Sequence, residues 1–272
     1  EEKRFYYAYN YICRKVIMGM KFNFWLAAVG FCAVISCKSP LALNHVQTEK
    51  NISIRDTIAD DAAAAAVIEP YKKSMEAQMY AKISHTATEL TKTGDNSNLG
   101  NLLADYTYQG ADTWAKQNNL PGVDGAVINI GGIRSTIGAG DIQLRHVYEV
   151  MPFENEVVIV KLSGAALQGL FDYYLKSQKN NPVSHLVIET ADGKLVRSLV
   201  NGQTVDPAKT YYIATSDYLA QGGDNMKYFA NGETINTGLK LRDLFVEKFK
   251  ANPEVKTSTD ERLIFKRQDK HR

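Results

Sequence analysis

Three short loops carry residue types that suit a flat, hydroxylated, charged ligand. In "AVINIGGIRSTIGAGDI" (126–142), glycines 131, 132, 138 and 140, with Gly125 just ahead, surround one arginine, Arg134. Gly131 and Gly132 have no Cβ and can reach positive φ, which leaves room for a planar group beside the backbone. Asn129 brings an amide donor and acceptor to the end of a strand, and Arg134 offers a fork of donors for a phosphate or ribose oxygen. A turn with an exposed arginine is the other account, and spacing alone leaves both open. "MPFENEV" presents Phe153 and Asn155 beside a proline that fixes the backbone. Core packing is the plainer use of a Pro-Phe pair. "SDYLAQGGDNM" sets Tyr218 and Asp224 around Gly222-Gly223, where the bland reading is a turn capped by Asp224. Together the loops hold two aromatics, two amides, an arginine and an acid. These groups can sandwich a nucleobase, read its edge and hold ribose hydroxyls, each stacking face being worth about 1–3 kcal/mol.

Other chemistries fail on spacing. A dinucleotide fingerprint needs G-x-G-x-x-G after a strand and opening a helix. Here the order is G-G-I-R-S-T-I-G-A-G followed by "DIQL", and no G-x-x-x-x-G-K-[ST] exists. A G-x-S-x-G nucleophile elbow is also missing. The net charge of +2 arises from the start of the chain: residues 1–36 hold five of the 32 basic groups and two of the 30 acidic ones, so the remainder stands at −1. With no basic stripe, nucleic-acid polymer is excluded as a partner. Cysteine occurs only at 13, 32 and 37, which excludes a disulfide framework or a Cys-ligated metal from Lys38 onward.

The first residues read as an export signal. From Met20 the chain runs through a lysine, an apolar core Phe22–Ile35, a small residue and Cys37. About 14 apolar residues are short for a membrane span and right for a signal core. Val34-Ile35-Ser36-Cys37 resembles a bacterial lipobox, which makes Cys37 the expected lipid-attachment residue and the expected location the lipid-anchored face of a bacterial envelope. A cleaved secretory signal or a single anchor helix is the alternative. Residues 1–17 precede a candidate initiator, Met18 or Met20, and are expected to have no fold role. The expected organisation is upstream residues and signal over 1–36, a tether over 37–60 and one domain over 61–272.

Within that domain the patterning alternates helices and strands. Ala62–Lys92 is read as helical, with Met75, Met79, Ile83 and Leu90 at three- and four-residue spacing. "GDNSN" breaks it, and Asn98 is placed to cap a helix over Leu99–Gln117. "DGAVINI" is a short buried strand, "QLRHVYEVM" a short helix and "NEVVIVKL" a strand. Ser163 caps a helix over Gly164–Ser177, whose Leu167, Leu170, Phe171 and Tyr174 form an apolar stripe. "HLVIET-ADG-KLVRSLV" is a hairpin by its turn chemistry. "KTYYIATS" is a strand, "DYLAQGGDN" a glycine loop, Leu239–Lys250 an amphipathic helix and "ERLIFK" a last strand. The fold class is therefore α+β, a mixed sheet with packed helices.

The motifs Asn129-x-Gly-Gly-Ile-Arg134, Pro-Phe153-x-Asn155 and Asp-Tyr218-Leu-Ala-x-Gly-Gly-Asp224 resemble the C-terminal, substrate-binding domain of the 5'-nucleotidase family. "NSNLGNLLAD" (96–105) is similar to that domain's opening helix motif, and the resemblance spans about residues 80–266. It implies that Phe153 and Tyr218 stack the base, with Asn129 contacting it and Asn155 near it. Arg134 would reach ribose or phosphate, Asp224 would hold ribose hydroxyls, and Gly131 and Gly132 would complete the substrate-binding set. Tyr218 stands where the family commonly has phenylalanine, and Leu90–Asn98 holds only Lys92 where relatives carry arginine. The largest departure concerns the metal. Family members cut phosphate esters with two metal ions held by D-x-H, G-D-x-x-D, G-N-H-[DE] and G-H-x-H motifs. Of the five histidines here, 45, 85, 146, 185 and 271, only His271 meets one of these spacings, as Asp269-Lys270-His271 in the charged tail, and the other three motifs are absent. The resemblance thus implies a nucleoside- or nucleotide-binding half that has no catalytic residue or metal of its own. The divalent metal ions would belong to a separate metallophosphoesterase chain. An extracellular nucleoside-binding module that serves no hydrolase is the second reading, and a decayed domain kept for envelope contacts the third.

Overall fold

Strand Glu156–Ser163 (β4) has the sequence EVVIVKLS, nearly continuous in apolar residues because both of its faces are covered. Val157 and Ile159 enter one hydrophobic cluster, while Val158, Val160 and Leu162 enter another on the opposite side. The period-two alternation of a strand thus divides one sequence run between two cores. The same division holds in Thr210–Ser216 (β9), where Ala214 faces the first cluster and Ile213 the second.

The computed structural model describes residues 45–51, 53, 55, 58–258 and 260–266. Cys37 and the apolar run Phe22–Ile35 lie outside them. No helix among the described residues is long and apolar enough to cross a membrane. From Asp60 onward the described residues belong to one compact unit.

The central sheet has five strands in the order β10-β4-β9-β2-β5, where β2 is Gly125–Val127, β5 Val183–Ser184 and β10 Glu233–Lys240. Every neighbour is antiparallel except β2 and β9, which run parallel. The first cluster packs helices Asn98–Gln117 (α2), Leu144–Val150 (α3) and Leu241–Ala251 (α6) on one face. Helix Gly164–Ser177 (α4) covers the other face with Leu167, Leu170 and Phe171, each fully buried. Burial of each such side chain contributes about 1.5–3 kcal/mol. Ser163 caps this helix through its Oγ, 3.2 Å from Ala166 N, as expected. Beside it lies a second sheet, β11-β6-β7-β8, built on the hairpin Leu186–Ala191 (β6) and Lys194–Val200 (β7), with Gln203–Thr204 (β8) and Leu263–Lys266 (β11) at its edges. Left-handed Asp192 and Gly193 form the hairpin turn. The fold is α+β with mixed sheets.

The structure departs from the sequence expectations at four places. The helix expected over Ala62–Lys92 ends at Met79 (α1, Ala62–Met79), and Lys82–Thr86 is a strand (β1) paired antiparallel with Gly140–Gln143 (β3). In α1 no side chain is buried, so nothing tertiary extends the helical run. Beyond it Ser84 and Thr86 alternate into the interior and strand pairing prevails. Ser97 and not Asn98 caps α2, since its Oγ accepts from Gly100 N at 3.2 Å. Leu239 belongs to β10, and the last long helix starts at Leu241. The glycine loop expected at "DYLAQGGDN" begins with a short helix, Asp217–Ala220 (α5), capped by Ser216.

Candidate functional site

All three loops leave the same end of the central sheet. β4 and β9 are antiparallel with Val157 opposite Ser216, so the residues just before β4 and just after β9 emerge together. Those residues are Phe153–Asn155 and Tyr218–Asp224. β2 runs parallel to β9 with Ala126 opposite Ala214, which brings Asn129, just past its C-terminal end, to that edge too. Residues 181 and 182 reach it from the other side, because β5 pairs antiparallel with β2.

The first loop is a 3-10 turn, Ile130–Gly132, with Gly132 N donating to Asn129 O at 3.0 Å. Gly131 and Gly132 are not among the glycines with positive φ, so conformational freedom is not why they are there. A Cβ on Gly132 would lie 3.0 Å from Asn129 Oδ1 and 3.2 Å from its Nδ2. The space left by Gly132 therefore receives the Asn129 carboxamide and not a ligand, whereas Gly131 meets nothing closer than 3.8 Å. Arg134 is exposed, its Nη1 donates to Gly131 O at 3.2 Å, and its own N–H is held by Val150 O at 2.8 Å. Among the described residues no carboxylate lies within ion-pair distance of it, so the guanidinium fork stays available to an anion.

Asn181, fully buried, fixes this turn from below. Its Oδ1 accepts from Ile130 N at 3.0 Å, its Nδ2 donates to Tyr173 Oη at 3.0 Å, and its carbonyl accepts from Tyr174 Oη at 2.8 Å. Burial raises the Tyr173 hydroxyl above its usual range, and the nearby Asp224 charge adds to the rise. Lys92 donates through Nζ to Ile133 O at 2.6 Å and so supports the turn's exit.

Phe153 is 44% exposed, an unusual position for a phenylalanine that serves packing. Its loop is clamped on both sides by the start of α6. Leu241 N donates to Asn155 O at 2.9 Å, and Arg242 Nη1 donates to Pro152 O at 3.2 Å. Arg242 also pairs with Glu154 and lies over the Tyr148 ring, 4.5 Å from its centroid.

Tyr218 is likewise 44% exposed. Its hydroxyl lies 3.3 Å from Asp224 Oδ1 and accepts from Asp224 N at 3.2 Å, so ring and carboxylate are held as a unit. Three left-handed residues, Gly222 (φ 90), Asp224 (φ 53) and Asn225 (φ 65), turn the chain back to make this contact. Non-glycine residues take that region uncommonly, mostly as Asp or Asn, and such strain gathers at ligand sites. Gly223 lies against the ring: a Cβ there would come within 2.5 Å of Tyr218 Cζ.

Strand register places the three loops that carry all eight expected residues at one end of the central sheet, with Gly132 buried against Asn129. The geometry adds Tyr173, Asn181 and Arg242, which sequence reasoning did not single out. Asn181 precedes a proline, a weak signal of extended backbone. Nothing in the sequence marks Arg242. The helix motif at 96–105 works differently. Asn96 Oδ1 accepts from Arg262 N at 2.8 Å and Leu263 N at 2.9 Å, and Asp105 holds Arg262 at 2.8 and 2.9 Å. Its polar residues anchor β11.

Residues 76–231 match the family model described as "5'-nucleotidase, C-terminal domain". The chain belongs to that family. It is 32% identical over 194 residues to the protein UshA of Escherichia coli K12, covering 66% of this chain and 33% of that protein. It is 28% identical over 214 residues to a 5'-nucleotidase of Vibrio cholerae, covering 73% of this chain and 36% of that protein. The chain thus spans about a third of the length of these curated relatives. Among solved structures, a 5'-nucleotidase precursor from Thermus thermophilus aligns with a TM-score of 0.61 at 23% identity, over 75% of this chain and 43% of that one. Haemophilus influenzae NAD nucleotidase aligns at 0.57, also with 23% identity, over 75% and 41%. Both likenesses are of fold.

Proposed function

We propose that the chain is the nucleoside- or nucleotide-binding half of a 5'-nucleotidase-type phosphoric ester hydrolase, completed by a separate metallophosphoesterase chain. The observation that carries this reading is the convergence of the three loops at one end of β4, β9 and β2. Phe153 and Tyr218, each half-exposed, stack the base. Asn129 and Asn155 read its edge, Asp224 accepts from the ribose hydroxyls, and Arg134 pairs with the sugar-phosphate side. Family membership and relatives named 5'-nucleotidase support the ligand class. A metallophosphoesterase chain would hold the divalent metal ions that supply Lewis-acid activation of the phosphate ester. Among the described residues no three His, Cys, Asp or Glu side chains converge to hold a metal ion, and on this reading the metal sits on the partner.

Two measurements test this. Calorimetric titration with AMP and UMP is expected to show binding, and absence of heat with either would remove the reading. Phosphate release with Mn²⁺ is expected only when a metallophosphoesterase chain lacking this domain is added. Robust turnover by the chain alone would overturn the division of labour, and binding without stimulation of any such chain would identify a capture module. The export reading belongs to this proposal as well. Cys37 as lipid-attachment residue predicts labelling by fatty acid that is lost in Cys37→Ala.

A further inference from the structure

Behind Asp224 lies a cavity of about 440 Å³, walled by α4 and by the segment following the left-handed turn. Lys176, Lys179 and Lys227 contribute to its lining, against two acids, Asp172 and Asp224. Asp224 is the shared wall. Its Oδ1 faces the Tyr218 hydroxyl at 3.3 Å on one side and Lys179 Nζ at 4.0 Å on the other. Asp172 is engaged by Gln168 Nε2 at 3.1 Å. Among the described residues neither Lys176 nor Lys227 has a carboxylate within ion-pair distance, so the rim holds uncompensated positive charge. Tyr173 and Tyr228 form the inner side, their ring centroids 6.1 Å apart. Tyr228 is nine-tenths buried, and its hydroxyl has no hydrogen-bond partner among the described residues. A buried hydroxyl left unpaired costs about 1–3 kcal/mol, which an oxygen reaching past Tyr173 would recover.

We propose that this cavity receives a second phosphoryl group, carried on the 2'- or 3'-oxygen of the ribose whose remaining hydroxyl Asp224 holds. The inference rests on the nucleoside reading above. A ribose held at its 2' and 3' edge points its 5' carbon away from the holding group, so a substituent on that edge runs past Asp224 into the lysine rim. A water molecule's share of liquid volume is about 30 Å³, so the cavity accommodates a phosphoryl group with its hydration. Lys179 offsets the Asp224 charge that would otherwise repel the incoming phosphate, and Lys176 and Lys227 supply an attraction that weakens as salt is added. The ligand class is a nucleoside 3',5'- or 2',5'-bisphosphate. A plain 5'-nucleotide would leave the cavity to solvent.

The test compares, by calorimetry on the protein, adenosine and uridine 5'-monophosphates with their 3',5'-bisphosphates. The bisphosphate of the preferred base is expected to bind at least tenfold more tightly than its monophosphate. Replacing Lys176, Lys179 and Lys227 together by Ala is expected to erase that difference and leave the monophosphate affinity within about twofold. All three lysines are exposed, so an unchanged thermal melt verifies that the triple variant is folded. Equal affinity for the two ligands, or a preference that survives in the triple variant, overturns the cavity assignment and leaves the nucleoside reading standing. No binding of any of the four ligands removes both.

Discussion

At the scale of single residues, the two half-exposed rings should matter to the ligand and little to the fold. Phe153→Ala and Tyr218→Ala are each expected to weaken nucleotide binding by the worth of one stacking face, about 1–3 kcal/mol or roughly 5- to 150-fold in Kd. Calorimetry reads the affinity, and a thermal melt should move little because each ring is 44% exposed. The glycine pair gives a sharper contrast. Gly132→Ala places a methyl 3.0 Å from Asn129 Oδ1 and must displace the carboxamide. Gly131→Ala meets nothing closer than 3.8 Å. Binding should fall in the first variant and hold in the second, and equal effects would show that Asn129 does not contact the base. The identities of these residues were readable before any coordinates, since their types and order match a known motif. The purpose of Gly132 was not, because its neighbour in space is a side chain three positions back that only the 3-10 turn folds over it.

At the scale of elements, α6 serves as a brace for the Phe153 loop. Its first residues hold Asn155 O and Pro152 O, and Arg242 adds the Glu154 pair and the Tyr148 ring. Arg242→Ala removes hydrogen bonds made by a charged group and is expected to destabilise the protein by about 1.5–3 kcal/mol. Hydrogen exchange at residues 151–155 should quicken, and nucleotide affinity should drop several-fold. Arg242→Lys should restore little, since a point charge cannot reproduce a fork that bonds two acceptors while lying flat on a ring. Elements with their own punctuation were legible: α4 has a serine cap and an apolar stripe, and the β6–β7 hairpin has Asp-Gly at its turn. β1 and β10 were not. In β10 only Thr237 is buried, with Ile235 packed against the first cluster, and a left-handed Gly238 interrupts the register. Its existence depends on β4 as partner, and a partner 77 positions upstream leaves no periodic trace in the strand itself.

At the scale of the whole molecule, one carboxylate couples three strands of the second sheet. Glu189 on β6 accepts from Lys266 on β11 at 2.7 Å and pairs with Arg197 on β7. The hydrogen bond from Lys266, then that from Arg197, lowers its pKa below the usual 4.5. The unfolded chain therefore binds the proton more readily than the folded one, and stability rises with pH across that interval. The stabilisation is fully present above pH 4.5 and is lost as pH falls through the folded value. Glu189→Gln should accordingly lower the melting temperature at pH 7 and converge on the parent in melts carried to acid pH, below the folded value. A constant offset from neutral to acid pH would assign the effect to packing and not to charge.

The shared exit of the loops has a further consequence for how this protein can change. β4, β9 and β2 are aligned by main-chain hydrogen bonds and by side chains pointing into the two cores, and from the loops Ile130, Ile133, Leu219 and Ala220 join those cores. The exposed loop positions are thereby released from the demands of folding, while these four and buried Gly132 are not. Substitutions at exposed Arg134, Phe153 and Tyr218 can redirect which base or sugar is preferred while the frame that orients them stays fixed. An engineer seeking a new specificity has those positions to vary and the anchoring residues between them to keep.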